Sequence, residues 1–296
     1  MKRRQLLSYS LLVLAGCTST RVRPTGNLRD HGSELPLTLS VTDEQGLAPL
    51  TAKYELLRQK LSQLLEWDIE FYPVETTTVA AAGLQAGTIN LALAGPTEYV
   101  LIRARTNATP VFALTRPNYH SIGVVPVDSP IRSLSQLKGK TLAMSDLGST
   151  SGHLGPTSLL VAAGLDPKID YSVEFLGDEG SLEALKAGQV DAWFGSLTDY
   201  TNFLNQEDVS AEDYRQIVQS PPLPNDVMVV NSRTSSQFIE QFRQLAQEHS
   251  TEIIAAITAI PANNKYRGSR VASVEDQDYD SIRQAYRMIG QGSFLD

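Results

Sequence analysis

Leu84-Gln85-Ala86-Gly87-Thr88-Ile89-Asn90-Leu91-Ala92 has a counterpart further along the chain in Leu185-Lys186-Ala187-Gly188-Gln189-Val190-Asp191-Ala192-Trp193. Each copy closes a run of helix formers, places Gly where a helix C-cap takes left-handed backbone, and passes into a short apolar strand. The distance between the copies is far longer than a solenoid repeat. The pair therefore predicts two similar α/β lobes rather than a repeat array.

Outward from the first copy, strand and helix patterns alternate, as an α/β fold requires. Leu37 to Val41 reads as a strand. Leu47 to Leu65 reads as an amphipathic helix with Leu50, Tyr54, Leu57, Leu61 and Leu64 on one face. Ile69 to Val74 is a second strand, Thr76-Thr77-Thr78 opens a small-residue helix ending at Gly87, and Ile89 to Ala94 is strand-like. Ser121 to Val127 is a strand that leaves the first lobe. Ser220-Pro221-Pro222-Leu223-Pro224 is held extended, because proline fixes its own φ and restrains the residue before it. These two stretches are the expected crossings, with Asp226 to Val230 bringing the chain back and helices near Ser235 to Glu248, Thr251 to Ile260 and Asp276 to Ile289 completing it. The expected partition is 35–121 and 225–296 for lobe one and 122–224 for lobe two.

The N-terminus carries Lys2, Arg3 and Arg4, an apolar block from Leu6 to Ala15, then Gly16 and Cys17. That is the order of a signal peptide (1–16), too short to remain as a spanning helix. Leu14-Ala15-Gly16-Cys17 looks like a bacterial lipobox, and Cys17 is the only Cys in the chain. Lipidation at Cys17 is expected, with 17–34 as a polar tether and the protein anchored outside the cytoplasmic membrane. The pair Arg3-Arg4 leaves general and twin-arginine export both open.

The 25 Lys and Arg, less Lys2, Arg3 and Arg4, stand against 33 Asp and Glu, a net charge of about -11 for the processed chain. Such a surface repels nucleic acid. With one Cys there is no disulfide within the chain, and His31, His120, His153 and His249 have no metal-ligand spacing. No metal and no cofactor are expected.

The densest chemistry lies in Ser145-Asp146-Leu147-Gly148-Ser149-Thr150-Ser151-Gly152-His153-Leu154-Gly155-Pro156. It follows a strand from Thr141 to Met144 and opens a helix through Leu159, Leu160 and Ala163. Capping needs one hydroxyl residue, and here Ser149, Thr150 and Ser151 are consecutive. Hydroxyls beside free N–H groups at the positive end of a helix suit an oxyanion without any lysine. Thr76-Thr77-Thr78 offers a second such start from the other lobe. No Gly-Lys-Ser/Thr follows the Ser149–Ser151 loop, so the spacing does not support a nucleotide P-loop.

These residues resemble a family. Lys138-Gly139-Lys140-Thr141-Leu142-Ala143, then Asp146 and Ser149-Thr150-Ser151-Gly152, are similar to the phosphate/phosphite/phosphonate-binding proteins of ABC importers, called PhnD-like. Leu147 stands where the family's lead-in has Pro. Tyr119-His120-Ser121 and Ser220 to Val229 resemble two further family segments, so the likeness runs through most of Leu37 to Val230. It implies a type II periplasmic-binding-protein fold, two α/β lobes joined by two crossing segments with a ligand cleft between them. It also implies a monomer that delivers its ligand to an ABC permease and ATPase. Ser149, Thr150 and Ser151 would hold the ligand oxygens, Tyr119 would close over them, and Thr77 and Asp226 would arrive from lobe one. A carboxylate at Asp226 suits a ligand that keeps a proton. Aminophosphonate-binding members place a Tyr near Thr77, a Tyr near Ala94 and a His near Asp178, and this chain has none of them. A smaller ligand, such as phosphite, phosphate or a simple phosphonate, is therefore expected.

Three other readings compete. An enzyme of phosphorus esters would need a partner for Asp43, Glu44, Asp146 or Asp226, and none is evident, nor is there a Gly-x-Ser-x-Gly elbow; the chain is not expected to be an enzyme. An extracytoplasmic ligand sensor would need a separate receptor. A binding protein for another small anion is also compatible with the fold. An amino-acid binder would use an Arg, but Arg103, Arg105 and Arg116 read as solvated residues at element ends.

Overall fold

The computed structural model of the chain describes residues 35–295. The expected signal peptide, Cys17 and the tether lie outside the described residues. The first stretch runs β1 (Leu37–Val41), α1 (Leu47–Leu65), β2 (Ile69–Phe71), α2 (Thr77–Ala86), β3 (Leu91–Ala94), α3 (Pro96–Thr106) and β4 (Thr109–Leu114). Next come β5 (Ser121–Pro126), β6 (Thr141–Met144), α4 (Gly155–Ala162), β7 (Ser172–Phe175), α5 (Gly177–Lys186), β8 (Ala192–Ser196), α6 (Leu197–Leu204) and β9 (Tyr214–Gln219). The chain returns through β10 (Asp226–Val230), α7 (Ser236–Glu248), α8 (Ser250–Thr258), β11 (Val271–Ala272) and α9 (Asp280–Met288).

Two mixed sheets result, ordered β11-β4-β10-β3-β1-β2 and β7-β6-β8-β5-β9. In the first, β2, β1 and β3 are parallel and β10 runs antiparallel between β3 and β4. In the second, β7, β6 and β8 are parallel and β5 runs antiparallel between β8 and β9. The antiparallel fourth strand of each sheet is thus the first strand formed after the chain has crossed over. Strands β3 and β10 are buried throughout, as strands covered on both faces must be.

The repeat that opened the sequence occupies equivalent places in the two sheets. Gly87 and Gly188 both have positive φ, at 81° and 68°, and end α2 and α5. A polar residue shortly after each glycine then ties the junction to the equivalent parallel strand of its own sheet, β1 or β6. The Thr38 N–H donates to Asn90 Oδ1 at 2.9 Å, and the Thr141 N–H donates to Asp191 Oδ2 at 2.9 Å.

The two crossings run side by side. Ser121 and Ser220 bond each other, Leu223 N–H donates to the Tyr119 carbonyl at 2.9 Å, and Arg116 N–H donates to Asn225 Oδ1 at 3.0 Å. Away from them, Leu154, just before α4, and Val161, near its end, pack into an apolar cluster with Tyr286 and Ile289 of the C-terminal helix region. The two sheet units are therefore joined at a polar hinge and also touch through side-chain packing.

Two expected details shift. On α1 the buried stripe is Leu50, Tyr54, Leu57, Leu61 and Leu65, with Leu65 replacing Leu64 as the helix continues its 3.6-residue turn. The second strand stops at Phe71, and Val74 makes only an isolated bridge to Gln45.

Candidate functional site

A cleft of about 1020 Å³ opens at the carboxyl ends of the parallel strands, the crevice where ligands of open α/β sheets bind. Its walls include Asp43, Thr76, Thr97, Glu98, Arg116, Tyr119, Asp146, Ser149, Thr150, Ser151, Asp178, Asp199, Asp226 and Lys265. Immediately after the equivalent strands β1 and β6 come Thr42 and Ser145, whose hydroxyls are buried.

On the second sheet's side, β6 leads through Gly148, at φ 94°, into a wide turn of helix over Thr150–Leu154. The Ser149 hydroxyl caps it by accepting from Gly152 N–H at 3.1 Å. Leu154 N–H reaches back to the Ser149 carbonyl at 2.9 Å, a span of five residues that widens the turn. The turn fits because residue 152 is glycine: a Cβ there would lie 1.8 Å from Ser145 Oγ. Thr150, Ser151 and His153 are buried. His153 Nδ1 accepts from Gly148 N–H at 3.1 Å, and burial holds its pKa below the ordinary value, so it props the loop as a neutral ring.

Facing this turn is the start of α3. Thr150 Oγ1 lies 3.0 Å from Thr97 Oγ1 and accepts from Thr97 N–H at 3.2 Å. A hydroxyl of the second sheet's unit thus occupies a free N–H at the first turn of a helix in the other. Gly95 and Pro96 precede Thr97, and a Cβ at Gly95 would meet the Glu98 carboxylate at 2.6 Å. Burial pushes the Glu98 carboxyl up, with Thr97 Oγ1 donating to it at 3.0 Å.

Sequence reasoning looked for this second helix start at Thr76-Thr77-Thr78. Thr76 does line the cleft, but its hydroxyl is taken up by the Val79 N–H at the cap. The side chain of Thr77 lies outside the described residues. The signal for α3 was present in Gly95-Pro96-Thr97, where Pro sits at a favoured first-turn position.

The cleft floor on lobe one carries charges. Asp226 is buried and accepts from the Tyr266 phenol at 2.7 Å, with Arg116 Nη1 and Lys265 Nζ each 3.5 Å from its oxygens. Lys265 also bonds Asp43, and Lys53 bonds Glu44. Burial opposes ionisation of Asp43, yet the adjacent Lys265 ammonium holds its carboxyl below the usual range. Burial likewise works against the charge of Lys265, but Asp43, Tyr266, Tyr54 and Asp226 together outweigh it, so the amine is held well above its ordinary value.

Three sequence readings change here. Arg116, read as solvated, has a side chain only 13% exposed and lies over the Tyr119 ring with its guanidinium carbon 3.5 Å from the centroid. Asp43 and Glu44, read as lacking partners, have Lys265 and Lys53. The site also does not rest on hydroxyls and dipoles alone, since Arg116 and Lys265 line it. Lys265 gave no signal in the sequence because its segment shows no motif and is brought to Asp43 only by the fold.

Across the mouth, Asp146, Asp178 and Asp199 line the other side. Asp178 as a residue is solvent-exposed, but its carboxyl faces inward. It is pushed up to about 6 by partial burial and by the like charges of Asp199 and Asp146.

A model of the family described as "ABC transporter, phosphonate, periplasmic substrate-binding protein" matches residues 41–279. The chain belongs to this family. It is 24% identical over 300 residues to the phosphate-import protein PhnD of Mycolicibacterium smegmatis, covering 94% of this chain and 93% of that protein. Among solved structures, PhnD1 of Prochlorococcus marinus in complex with methylphosphonate matches with a TM-score of 0.69 at 19% identity, over 86% of this chain and 98% of that one. The periplasmic aliphatic sulphonate-binding protein SsuA of Escherichia coli matches with a TM-score of 0.62 at 18% identity, over 89% of each. The fold is that of the periplasmic binding proteins, as the resemblance implied. The family is one of transporter binding proteins rather than enzymes: its members present a small ligand to an ABC permease and ATPase. Among the described residues no helix is long and apolar enough to cross a membrane.

Proposed function

We propose that this chain is a lipoprotein, anchored through Cys17, that captures a small phosphorus oxyanion (phosphite, phosphate or a simple phosphonate) in the cleft and delivers it to an ABC importer. The observation that carries the reading is the meeting of Thr150 and Thr97, which brings the hydroxyl turn against a first-turn N–H of α3. Helix N-termini favour anions through unsatisfied N–H donors and the macrodipole. Ser149, Thr150 and Ser151 then hold the ligand oxygens, and an entering oxyanion takes over the Thr97 N–H that Thr150 now occupies. Tyr119 covers the ligand, and Thr77 is retained as a contact from α2. For Asp226 the bonds to Tyr266 and the nearby cations favour a charge-balancing part over direct acceptance of a ligand proton. The lobes act as monomer halves that close about the crossings.

Calorimetric titration with phosphite, phosphate, methylphosphonate, 2-aminoethylphosphonate and methanesulphonate tests this. Saturable binding of a phosphorus oxyanion is expected, and its absence with all four would move the function to another ligand class.

One observation favours a second reading. Asp146, Asp178 and Asp199 together suit a ligand that carries an ammonium group beside its oxyanion, despite the missing aromatic shell. Under it, 2-aminoethylphosphonate binds more tightly than methylphosphonate, and the preference disappears in Asp178→Asn.

A further inference from the structure

Three cations line the cleft, and their hydrogen bonding differs. Lys53 is bonded to Glu44 and Lys265 to Asp43. Arg116 has five N–H donors to place, as any guanidinium does. Its side chain makes one long contact, Nη1 to Asp226 Oδ1 at 3.5 Å, and its Nε is buried with no partner. The Tyr119 ring lies against the face of the guanidinium at 3.5 Å. A ring on the face fixes the plane of the group and leaves the donors at its edge available to an acceptor in the cleft.

The acceptor is not Asp226 alone. That carboxylate already receives the Tyr266 phenol at 2.7 Å and has Lys265 at 3.5 Å, so it does not depend on Arg116 for compensation. Arg116 therefore has donors to spare for an anionic acceptor in the cleft it lines.

We infer that Arg116 is a further ligand-binding and specificity-determining residue, donating a charge-assisted hydrogen bond from the hinge to an anionic ligand oxygen. It deepens, and rests on, the reading of the cleft as an oxyanion site. Its location gives the contact a second consequence. Arg116 lies between β4 and β5 on one crossing, and its N–H donates to Asn225 on the other. A ligand charge satisfied by Arg116 is therefore felt where the two lobes turn on each other. The neutral hydroxyls recognise oxygen geometry, and Arg116 recognises charge, favouring a dianion over a monoanion of the same shape.

The test is titration calorimetry of the wild-type protein, Arg116→Gln and Arg116→Lys with methylphosphonate, phosphate and methanesulphonate. Methylphosphonate is followed across its second ionisation, and melting temperatures are measured without ligand. Arg116→Gln is expected to lose roughly 10- to 100-fold in affinity and to flatten the rise in affinity as the ligand becomes a dianion. Arg116→Lys keeps a cation at the same place, with an intermediate loss of affinity and part of the pH dependence. A merely structural Arg116 would instead lower the melting temperature and scale every affinity by one factor at every pH. That result, or affinity of Arg116→Gln within threefold of wild type with an unchanged pH profile, overturns the inference while leaving the phosphorus reading in place. A wild-type protein that binds only methanesulphonate, and loses it in Arg116→Gln, overturns the phosphorus reading and keeps Arg116.

Discussion

The two walls of the cleft are built from different chemistry. Lobe two offers a neutral turn, Ser149–Ser151, in which hydroxyls and backbone N–H groups are set by a glycine contact and a cap. Lobe one offers a charged floor in which Asp43, Lys265 and Asp226 neutralise one another around the Tyr266 phenol, with Arg116 beside them at the hinge in one long contact to Asp226. A neutral cradle binds through direction, and its hydroxyls can be replaced without unfolding. A buried ionic cluster is coupled to the fold, because removing one member strands the charge of another. The contrast predicts that loss of a hydroxyl on lobe two appears in binding, and that loss of a member of the Asp43, Lys265 and Asp226 cluster on lobe one appears first in stability.

The largest effect is expected from Lys265→Met, which leaves Asp43 and Asp226 without their shared ammonium. About 3 kcal/mol of unfolding free energy should be lost, read from denaturant melts. A stable Lys265→Met would erase the distinction between the walls. Next comes Thr150→Val, nearly isosteric and confined to lobe two. It should cost roughly 10- to 100-fold in oxyanion affinity with little change in melting temperature.

Gly152→Ala tests the cradle's construction. Its Cβ would press on Ser145 Oγ, so a loss of about 2 kcal/mol is expected, partly recovered when Ser145 is also made Gly. Full stability in the single variant would show that the close approach does not shape the turn.

The smallest effect concerns Asp178. Its carboxyl is raised to about 6 in the folded chain from an ordinary 3.8, so the fold holds its proton more tightly than the unfolded chain does. No penalty exists below the lower value, and the penalty builds between the two values and is complete above about 6. Asp178→Asn should raise the melting temperature slightly at pH 7.5 and leave it unchanged at pH 3.5. An equal rise at both pH values would place the benefit outside ionisation.

The same contrast separates what was legible in the sequence from what was not. The hydroxyl turn was legible because its parts are contiguous: a strand, a glycine, three hydroxyl residues and a second glycine follow one another along the chain. The duplicated αβ junctions were legible for the same reason, since Gly87 and Gly188 mark local backbone geometry. The charged floor was not. Asp43, Arg116, Asp226 and Lys265 come from four separate segments, and nothing in the residues around Lys265 points to Asp43. Arg116 follows a strand end, a position where arginines are usually solvated, and only the antiparallel insertion of β10 beside β4 brings Asp226 to it. The sequence drew attention to the three threonines before α2 and passed over the single Thr97 at the start of α3, which the fold brings against Thr150. Proximity in space, which pattern cannot supply, decided for Thr97.

The central claim is that the ligand's oxygens lie between the Ser149–Ser151 turn and the start of α3. A crystal structure of the protein with the phosphorus oxyanion it binds most tightly tests this most directly. Ligand oxygens bonded to Thr150, Ser151 and the Thr97 N–H are the predicted result. A ligand bonded to lobe one alone, with the Thr150–Thr97 contact left intact, would contradict it.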